Sequence, residues 1–433
     1  MWRPTSIRST TRCESTFAWL ANDRGFPVLT VQNVIEKYCL REDLSTSDPY
    51  DMWKTSVGNW VKDLFNCRRG LGLLPAAALT AIDTFVNNSV RAFYDVQEYP
   101  IVRALAAMSL INLYRDSNQQ RHLDYAERHV AWLINHACEG YSGYCWGLGF
   151  RYPVAKGIVY DANTPFSTVT PYVLEAIVRL RQVTEGNRFN DVLQGVFRFF
   201  DRDIQVMEET DDYLATSYGP WPDRIAINSV AYTMYALATL MATVDPADTG
   251  RVRKKVQKLY AYVKMTQRDD GAWFYSPQGR SFIDCFHSCF VLKNIIKTNR
   301  LLGLEGMRTV VESGYVYLKS HLFDSRRRLF VRFSVSNKPG IVRYDLYDNA
   351  EMLNLAVLLN DTEMIEVLAE SIVKHFWRGG EVYSSIDVFG VRRNRNTLRW
   401  AVMPYVYALS EMGCGQLPGA NAVGPPDGTA SMR

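Results

Sequence analysis

From about residue 76 to 412 the apolar positions recur at helical spacing, and two textures alternate along the chain. One set of segments is apolar nearly all round: 101–116, 169–183, 228–244, 285–302, 349–360 and 397–412. Each but the last is followed by a short Asp/Asn/Gly break and a more charged, amphipathic segment, at 123–138, 189–204, 251–267, 306–323 and 362–377. The stretch 75–95 supplies the amphipathic partner ahead of the first pair. Helices apolar on every side belong inside a protein, and amphipathic ones outside. Equivalent points of the apolar segments lie about 50–70 residues apart, a period that marks repeated supersecondary units. No segment reads as a polar capping repeat, so a closed ring is preferred to an open solenoid. The pattern therefore predicts an all-α fold, an (α/α)6 toroid of six helical hairpins. Residues 71–414 would form the toroid, 1–70 an N-terminal extension of unassigned role, and the Gly/Pro/Ala-rich 415–433 a disordered tail.

The connections from outer to inner segments are long, at 139–168, 205–227, 268–284, 324–348 and 378–396, whereas those from inner to outer are short. All the long loops then gather at one mouth, above the N-termini of the inner helices. Sites are usually built on long loops held by a rigid scaffold, and helix N-termini favour negative charge.

Composition narrows the picture. A net charge of +4 over 433 residues is too small to imply nucleic acid. The N-terminal stretch lacks the apolar core of a signal peptide, and no run of roughly 18 apolar residues suggests a transmembrane helix. The eight cysteines are scattered and form no CxxC pair, which suits reduced thiols in a cytoplasmic protein.

The long loops are rich in aromatic residues. Trp146, Tyr152, Tyr218, Trp221, Trp273, Tyr275, Tyr344 and Trp400 would lie near the opening. Flat faces with a hydrogen-bonding edge suit sugar rings, although any one of them could simply pack a loop onto the ring. Arginines crowd the same loops, among them Arg224, Arg332, Arg343 and Arg399, and guanidinium forks bind carboxylates or phosphates. A solvated basic rim explains them equally well.

The segment from Gln267 to Phe290 carries a Gln-x-x-Asp-Gly-x-Trp box and then Asp284, Cys285, His287 and Cys289. The box reads as a structural clamp, with Gly271 permitting the turn. Asp284 falls at the N-cap of the fourth inner helix, and His287, one turn in, would face the central cavity. A plain cap and a satisfied core histidine compete with acid/base roles for these two. Cys285 and Cys289 share a helix face that His287 does not, so a zinc site using all three is not expected. Neither a metal nor a cofactor is expected at all. Asp345, Asp348 and Glu351 mark the entry to the next inner helix, where Asp348 and Glu351 could form a capping box or do acid/base work. Asn228 adds a polar group from the third inner helix.

These motifs resemble a bacterial VpsJ-like family of α/α-toroid proteins encoded in cell-surface polysaccharide clusters. Cys145-Trp146-Gly147, Thr164-Pro165, Asp270 to Tyr275, Ile283 to Leu292 and Arg399-Trp400 follow the family pattern in order, one match per hairpin, across about residues 140–410. Ser217-Tyr218-Gly219-Pro220 with Asn228-Ser229 follows it loosely. The chain departs from the family's IDIHSAAQ segment, where Tyr347 stands for its histidine and Glu351 for its glutamine. The family's Asn before the helix is Cys285 here. The resemblance implies a role in making or tailoring a surface glycan, alongside other polysaccharide-assembly proteins.

The favoured reading is an enzyme acting on an anionic, uronic-acid-containing oligo- or polysaccharide as epimerase, lyase or hydrolase. Asp284, His287, Tyr218 and Asp345 would supply the acid/base groups. Trp146, Tyr152, Trp221, Asn228, Trp273, Tyr275, Arg343, Tyr347, Glu351, Arg399 and Trp400 would hold substrate. The alternative is a non-catalytic glycan-binding or scaffold protein. A terpene cyclase is a third reading, because its repeat motif is the same Gln-x-x-Asp-Gly-x-Trp box. That box occurs once here, and the Asp-x-Asp-Asp acid of those enzymes is absent.

Overall fold

Six helices form an inner ring: α4 (Pro100–Ser117), α6 (Thr170–Thr184), α8 (Ile227–Leu240), α10 (Cys285–Leu302), α12 (Leu346–Leu359) and α14 (Met403–Gly413). This computed structural model describes residues 30–86, 91, 94–184, 186–277, 281–336 and 340–413. In α4 every residue from Pro100 to Leu113 is buried, as its all-round apolar texture requires. Five outer helices alternate with the ring: α5 (Gln120–Asn135), α7 (Asn190–Arg198), α9 (Thr249–Met265), α11 (Met307–His321) and α13 (Thr362–Phe376). Each buries one stripe; in α5 it is His122, Leu123, Ala126, His129, Val130 and Leu133, at helical spacing. One continuous hydrophobic core runs through all the hairpins. The fold is thus the expected (α/α)6 toroid.

The sixth outer helix is not where the pattern placed it. Between the first and last inner helices sits α1 (Val31–Cys39), packed on α4 and α14. It buries Val34, Ile35, Tyr38 and Cys39 in the common core. His129 of α5 bonds the carbonyl of Cys39 at 2.8 Å, and the Tyr38 hydroxyl reaches Asn396 at 3.2 Å. The stretch expected to fill this place, 75–95, instead contributes to an arm. There α2 (Ser56–Cys67) packs on α3 (Arg69–Ala81), which a π-helical turn extends over Ile82–Val86. Within Arg69–Val86 only Gly72 is buried, so the apolar side chains expected to pack on the ring lie on the surface instead. By length and composition alone the stretch Arg69–Val86 is long and apolar enough to cross a membrane, but one such helix makes no clear transmembrane span among the described residues. Gly70, Gly72, Pro75 and Thr80 interrupt its apolar run.

Most of the long connections carry short antiparallel strands. β1 (Tyr152–Ala155) pairs β2 (Ile158–Tyr160), and β3 (Val206–Glu209) pairs β4 (Leu214–Thr216), all antiparallel. β5 (Ile283–Asp284) crosses to β8 (Phe333–Val335) of the next connection, with Asp284 opposite Phe333. β6 (Phe323–Asp324) pairs β7 (Leu329–Phe330). β9 (Val342–Asp345) and β12 (Arg392–Arg395) flank β11 (Glu381–Asp387), which also pairs β10 (Trp377–Arg378). Strands therefore lead straight into the N-termini of α10 and α12 and fix the residues there. The expected tail, 415–433, lies outside the described residues.

Candidate functional site

The site grows from the start of α10. Asp284 ends β5 and caps the helix, its carboxylate accepting from the His287 backbone N–H at 3.3 Å. The other oxygen, Oδ2, lies 2.7 Å from Nδ1 of the His287 ring. An ionised carboxylate can only accept, so the proton of a neutral imidazole sits on Nδ1 and Nε2 is left as the acceptor. The Asp284 side chain is 2% exposed and that of His287 20%. A buried acceptor thus orients a ring that reaches solvent.

Around this pair lies a small recess with Asn228, Trp273, Tyr275, Asp284, His287 and Ser288 in its wall. The Tyr275 ring stands 4.7 Å from the His287 ring and stacks on Phe282 at 4.8 Å. Burial pushes the Tyr275 hydroxyl well above the ordinary phenol range, with the Tyr218 hydroxyl adding to the effect, so it holds its proton at neutral pH. Asn228 is buried, and its Oδ1 has no hydrogen-bond partner in the protein. An unpaired buried acceptor costs free energy, so a ligand donor is its natural complement. Next to Tyr275, Arg224 lies 4.0 Å above the Tyr218 ring, and its Nε also lacks a partner. The Tyr218 hydroxyl accepts from Thr168 at 3.1 Å.

The second wall comes from the start of α12. Phe286 joins the walls: its ring is 4.0 Å from His287, 5.2 Å from Tyr347 and 5.7 Å from Trp400. Asp345, not Asp348, is the N-cap here, accepting from the Tyr347 N–H at 2.9 Å and from the Trp400 indole N–H at 2.9 Å. The alternative of an Asp348–Glu351 capping box is therefore wrong. Asp348 instead crosses to α10 and accepts from the Phe286 N–H at 3.0 Å, while its Oδ2 is buried without a partner. Burial pushes the Asp348 carboxyl well above the usual carboxylate range, and the neighbouring Asp345 adds to this. Asp345 is itself raised by burial, against the pull of Arg332. Burial opposes the charge of Arg332, yet Asp345 and Asp348 outweigh it and hold the guanidinium firmly protonated. Arg332 keeps a side-chain exposure of 24%, lies 3.8 Å from Asp345 and has a buried Nε without a partner. Trp400 is presented by a strained corner: Ala401, which has a Cβ, adopts φ 123°. Its ring stacks on Tyr347 at 4.9 Å.

The structure thus brings Asp284, His287, Tyr275, Asn228, Tyr218, Asp345, Tyr347 and Trp400 to one mouth. It places other expected residues elsewhere. Trp146 is fully buried and donates its indole N–H to Leu133 at 2.7 Å, tying a long connection to the end of α5. Trp273 does the same at α9, donating to Val263 at 2.8 Å, and only backs the recess. Neither indole N–H is free for a sugar hydroxyl. Arg399 is buried against Asp48 at 2.7 Å and braces the chain before α2. Glu351 lies two turns down the axis in a buried ion pair with Lys293. Arg343 is on the outer rim with Asp324, at 3.1 Å. Trp221 is 42% exposed and stacks on Tyr160, while Tyr152 packs edge-on against Tyr50. Tyr50, from before the first hairpin, packs on Trp400 at 5.6 Å; nothing local in the sequence marks it. The Gln267 side chain donates to Gly271 O and Val310 O, both at 2.9 Å, the clamp its box suggested. Among the described residues no group of three or more His, Cys, Asp or Glu is arranged to hold a metal ion.

No protein-family model matches the chain, and no curated protein matches it. Solved structures do. A cellobiose 2-epimerase from Bacillus thermoamylovorans superposes with a TM-score of 0.55 at 13% identity, covering 74% of this chain and 89% of that one. A GH76 α-mannanase from Bacteroides thetaiotaomicron gives 0.53 at 11%, covering 84% and 98%. A polysaccharide lyase gives 0.51 at 9%, covering 82% and 97%. At such identities the likeness is one of fold, and that fold is the six-hairpin α/α toroid.

Proposed function

We propose that the chain is a carbohydrate-active enzyme that moves protons on an anionic, uronic-acid-containing glycan, as an epimerase or a lyase. The observation that carries this is the Asp284–His287 pair, with Nδ1 held at 2.7 Å by a buried carboxylate and the ring open to an aromatic recess. That arrangement poises Nε2 to accept a proton. The C–H next to a uronate carboxylate becomes acidic once the carboxylate charge is neutralised, a role this reading gives to Arg332 or Arg224. Tyr275, whose proton is retained and whose ring lies 4.7 Å from that of His287, is the group to return a proton or to protonate a leaving oxygen. Hydrolysis fits less well, because it needs two carboxyl groups flanking the bond. Here Asp284 is engaged by His287, Asp345 by Trp400 and Tyr347, and Asp348 is sealed from solvent. Toroids of this fold named as epimerase, mannanase and lyase support carbohydrate chemistry in general. The VpsJ-like motifs extend the proposal to surface-glycan assembly.

Incubation with a panel of uronate-containing and neutral glycans in deuterated water, read by NMR, tests it. Deuterium at C5 or new unsaturated ends support an epimerase or a lyase. Saturable binding with no chemical change on any glycan points to the non-catalytic glycan-binding reading instead.

A further inference from the structure

The arm formed by α2 and α3 has no part in the site described above. Its outward side chains include Trp60, Leu71, Leu73, Leu74, Phe85 and Val86, each between 54% and 78% exposed. Over Arg69–Val86 only 6% of the helix is buried. A soluble surface rarely presents so many large apolar groups together, and such a patch marks a contact surface.

Charge and tethering indicate what covers it. Within 56–86 the acidic residues are Asp63 and Asp83, and both are paired, with Arg151 at 3.1 Å and Arg91 at 2.9 Å. Arg68 and Arg69, at the bend between the helices, are exposed. Leu71, Leu73 and Leu74 are exposed on α3 and Phe85 and Val86 on the turn that extends it, while Trp60 is exposed on α2, which packs on α3. Apolar groups, an indole and cations without free acids are the composition of a helix lying in the headgroup region of an anionic bilayer. Crossing is excluded by the tethers. Arg91 reaches back to Asp51 at 3.4 Å, and Thr46 and Gln97 form an antiparallel bridge, so the arm leaves and rejoins the toroid at one place. The 12 residues of α2 are too few to span a bilayer, so a crossing α3 would have no second span to bring the chain back.

We infer that the α2–α3 arm is a peripheral membrane anchor that seats the toroid on an anionic lipid surface. Arg151 of the loop before β1 donates to Asn59 of α2 at 2.7 Å, and Lys62 lies 3.3 Å over the Tyr152 ring. The anchor is thus fixed to the connection that borders the mouth, and docking would hold the mouth near the bilayer. The inference does not depend on the reaction proposed above.

The test is flotation of the full chain with vesicles of phosphatidylcholine alone or with about 30% phosphatidylglycerol. The wild type should partition onto the anionic vesicles at least about tenfold better and be released by about 0.5 M salt. Leu73→Asp with Leu74→Asp should lower partitioning at least about tenfold with the melting transition unchanged, since both side chains are exposed. Trp60→Phe should remove a fluorescence blue shift seen on binding. The inference is overturned if the wild type stays unbound, if the double variant binds as well as wild type, or if the arm instead mediates a concentration-dependent dimer with no vesicle binding.

Discussion

His287 is the residue on which the chemistry turns, and Asp284 sets what it can do. Replacing Asp284 by Asn keeps a cap for α10, because an amide oxygen can still accept from the His287 N–H. It removes the charge that stabilises an imidazolium and can turn the ring to the other tautomer. Asp284→Asn should therefore retain the fold and lose about 10²–10⁴-fold in turnover, read as initial rate beside a melting curve. Unchanged turnover would reduce Asp284 to a cap. The pair was legible in the sequence because both groups lie within one turn of a helix start, where spacing alone fixes geometry. Arg399 was not: its partner Asp48 is 351 positions away, and no local pattern separates a buried brace from a carboxylate-binding fork. Trp146 misled for a related reason, since an aromatic in a loop looks the same whether it faces in or out.

Asp348 gives a pH signature. Its folded pKa stands above the ordinary 3.8, driven by burial and by Asp345. A raised folded pKa contributes stability that is full below the unfolded value and is lost as pH rises through the folded one. Asp348→Asn removes that loss. The variant should melt higher than wild type at about pH 8, with a smaller decline in Tm from about pH 5 to about pH 8. A wild-type curve that rises over this range, or a variant that is less stable at the upper end, would show that Asp348 is held as a carboxylate.

At the scale of elements, the inner helices were readable because nothing but burial explains a segment apolar on every side. The outer helix α1 was missed because it has nine residues and precedes the first clear repeat. The β-hairpins were missed because most of their strands have two to four residues, too few to show a period of two. α1 carries a direct prediction. It buries four side chains against α4 and α14, each contributing roughly 1.5–3 kcal/mol, against a typical net stability of about 5–15 kcal/mol. A chain starting at residue 41 should be insoluble or lack a cooperative melt, whereas a soluble, cooperatively melting product would mean that α1 is dispensable. The clamp between α9 and α11 offers a point test. Gly271 has φ 90°, and a Cβ there would lie 2.3 Å from Ser313 O, against the backbone of α11. Gly271→Ala should cost at least about 2 kcal/mol in denaturant unfolding; a loss under about half of that would mean the turn relaxes freely.

On the scale of the whole molecule, closing the ring gathers what the chain scatters. The starts of α8, α10 and α12 bring Asn228, the Asp284–His287 pair and the Asp345–Asp348 pair to one end, and the long connections add Arg224, Tyr275 and Arg332. The same topology sends Glu351 and Lys293 down the axis, into a buried ion pair that braces neighbouring inner helices. The account's central claim is that the mouth performs proton transfer through His287 rather than merely holding a glycan. The most direct measurement is deuterium uptake at C5 of a bound uronate-containing glycan in deuterated water, for wild type and His287→Ala, with affinity measured on the same samples. The account predicts uptake by the wild type, its loss in His287→Ala by at least about 10²-fold, and affinity within a few-fold. Uptake that survives the substitution, or binding without uptake in the wild type, would contradict it.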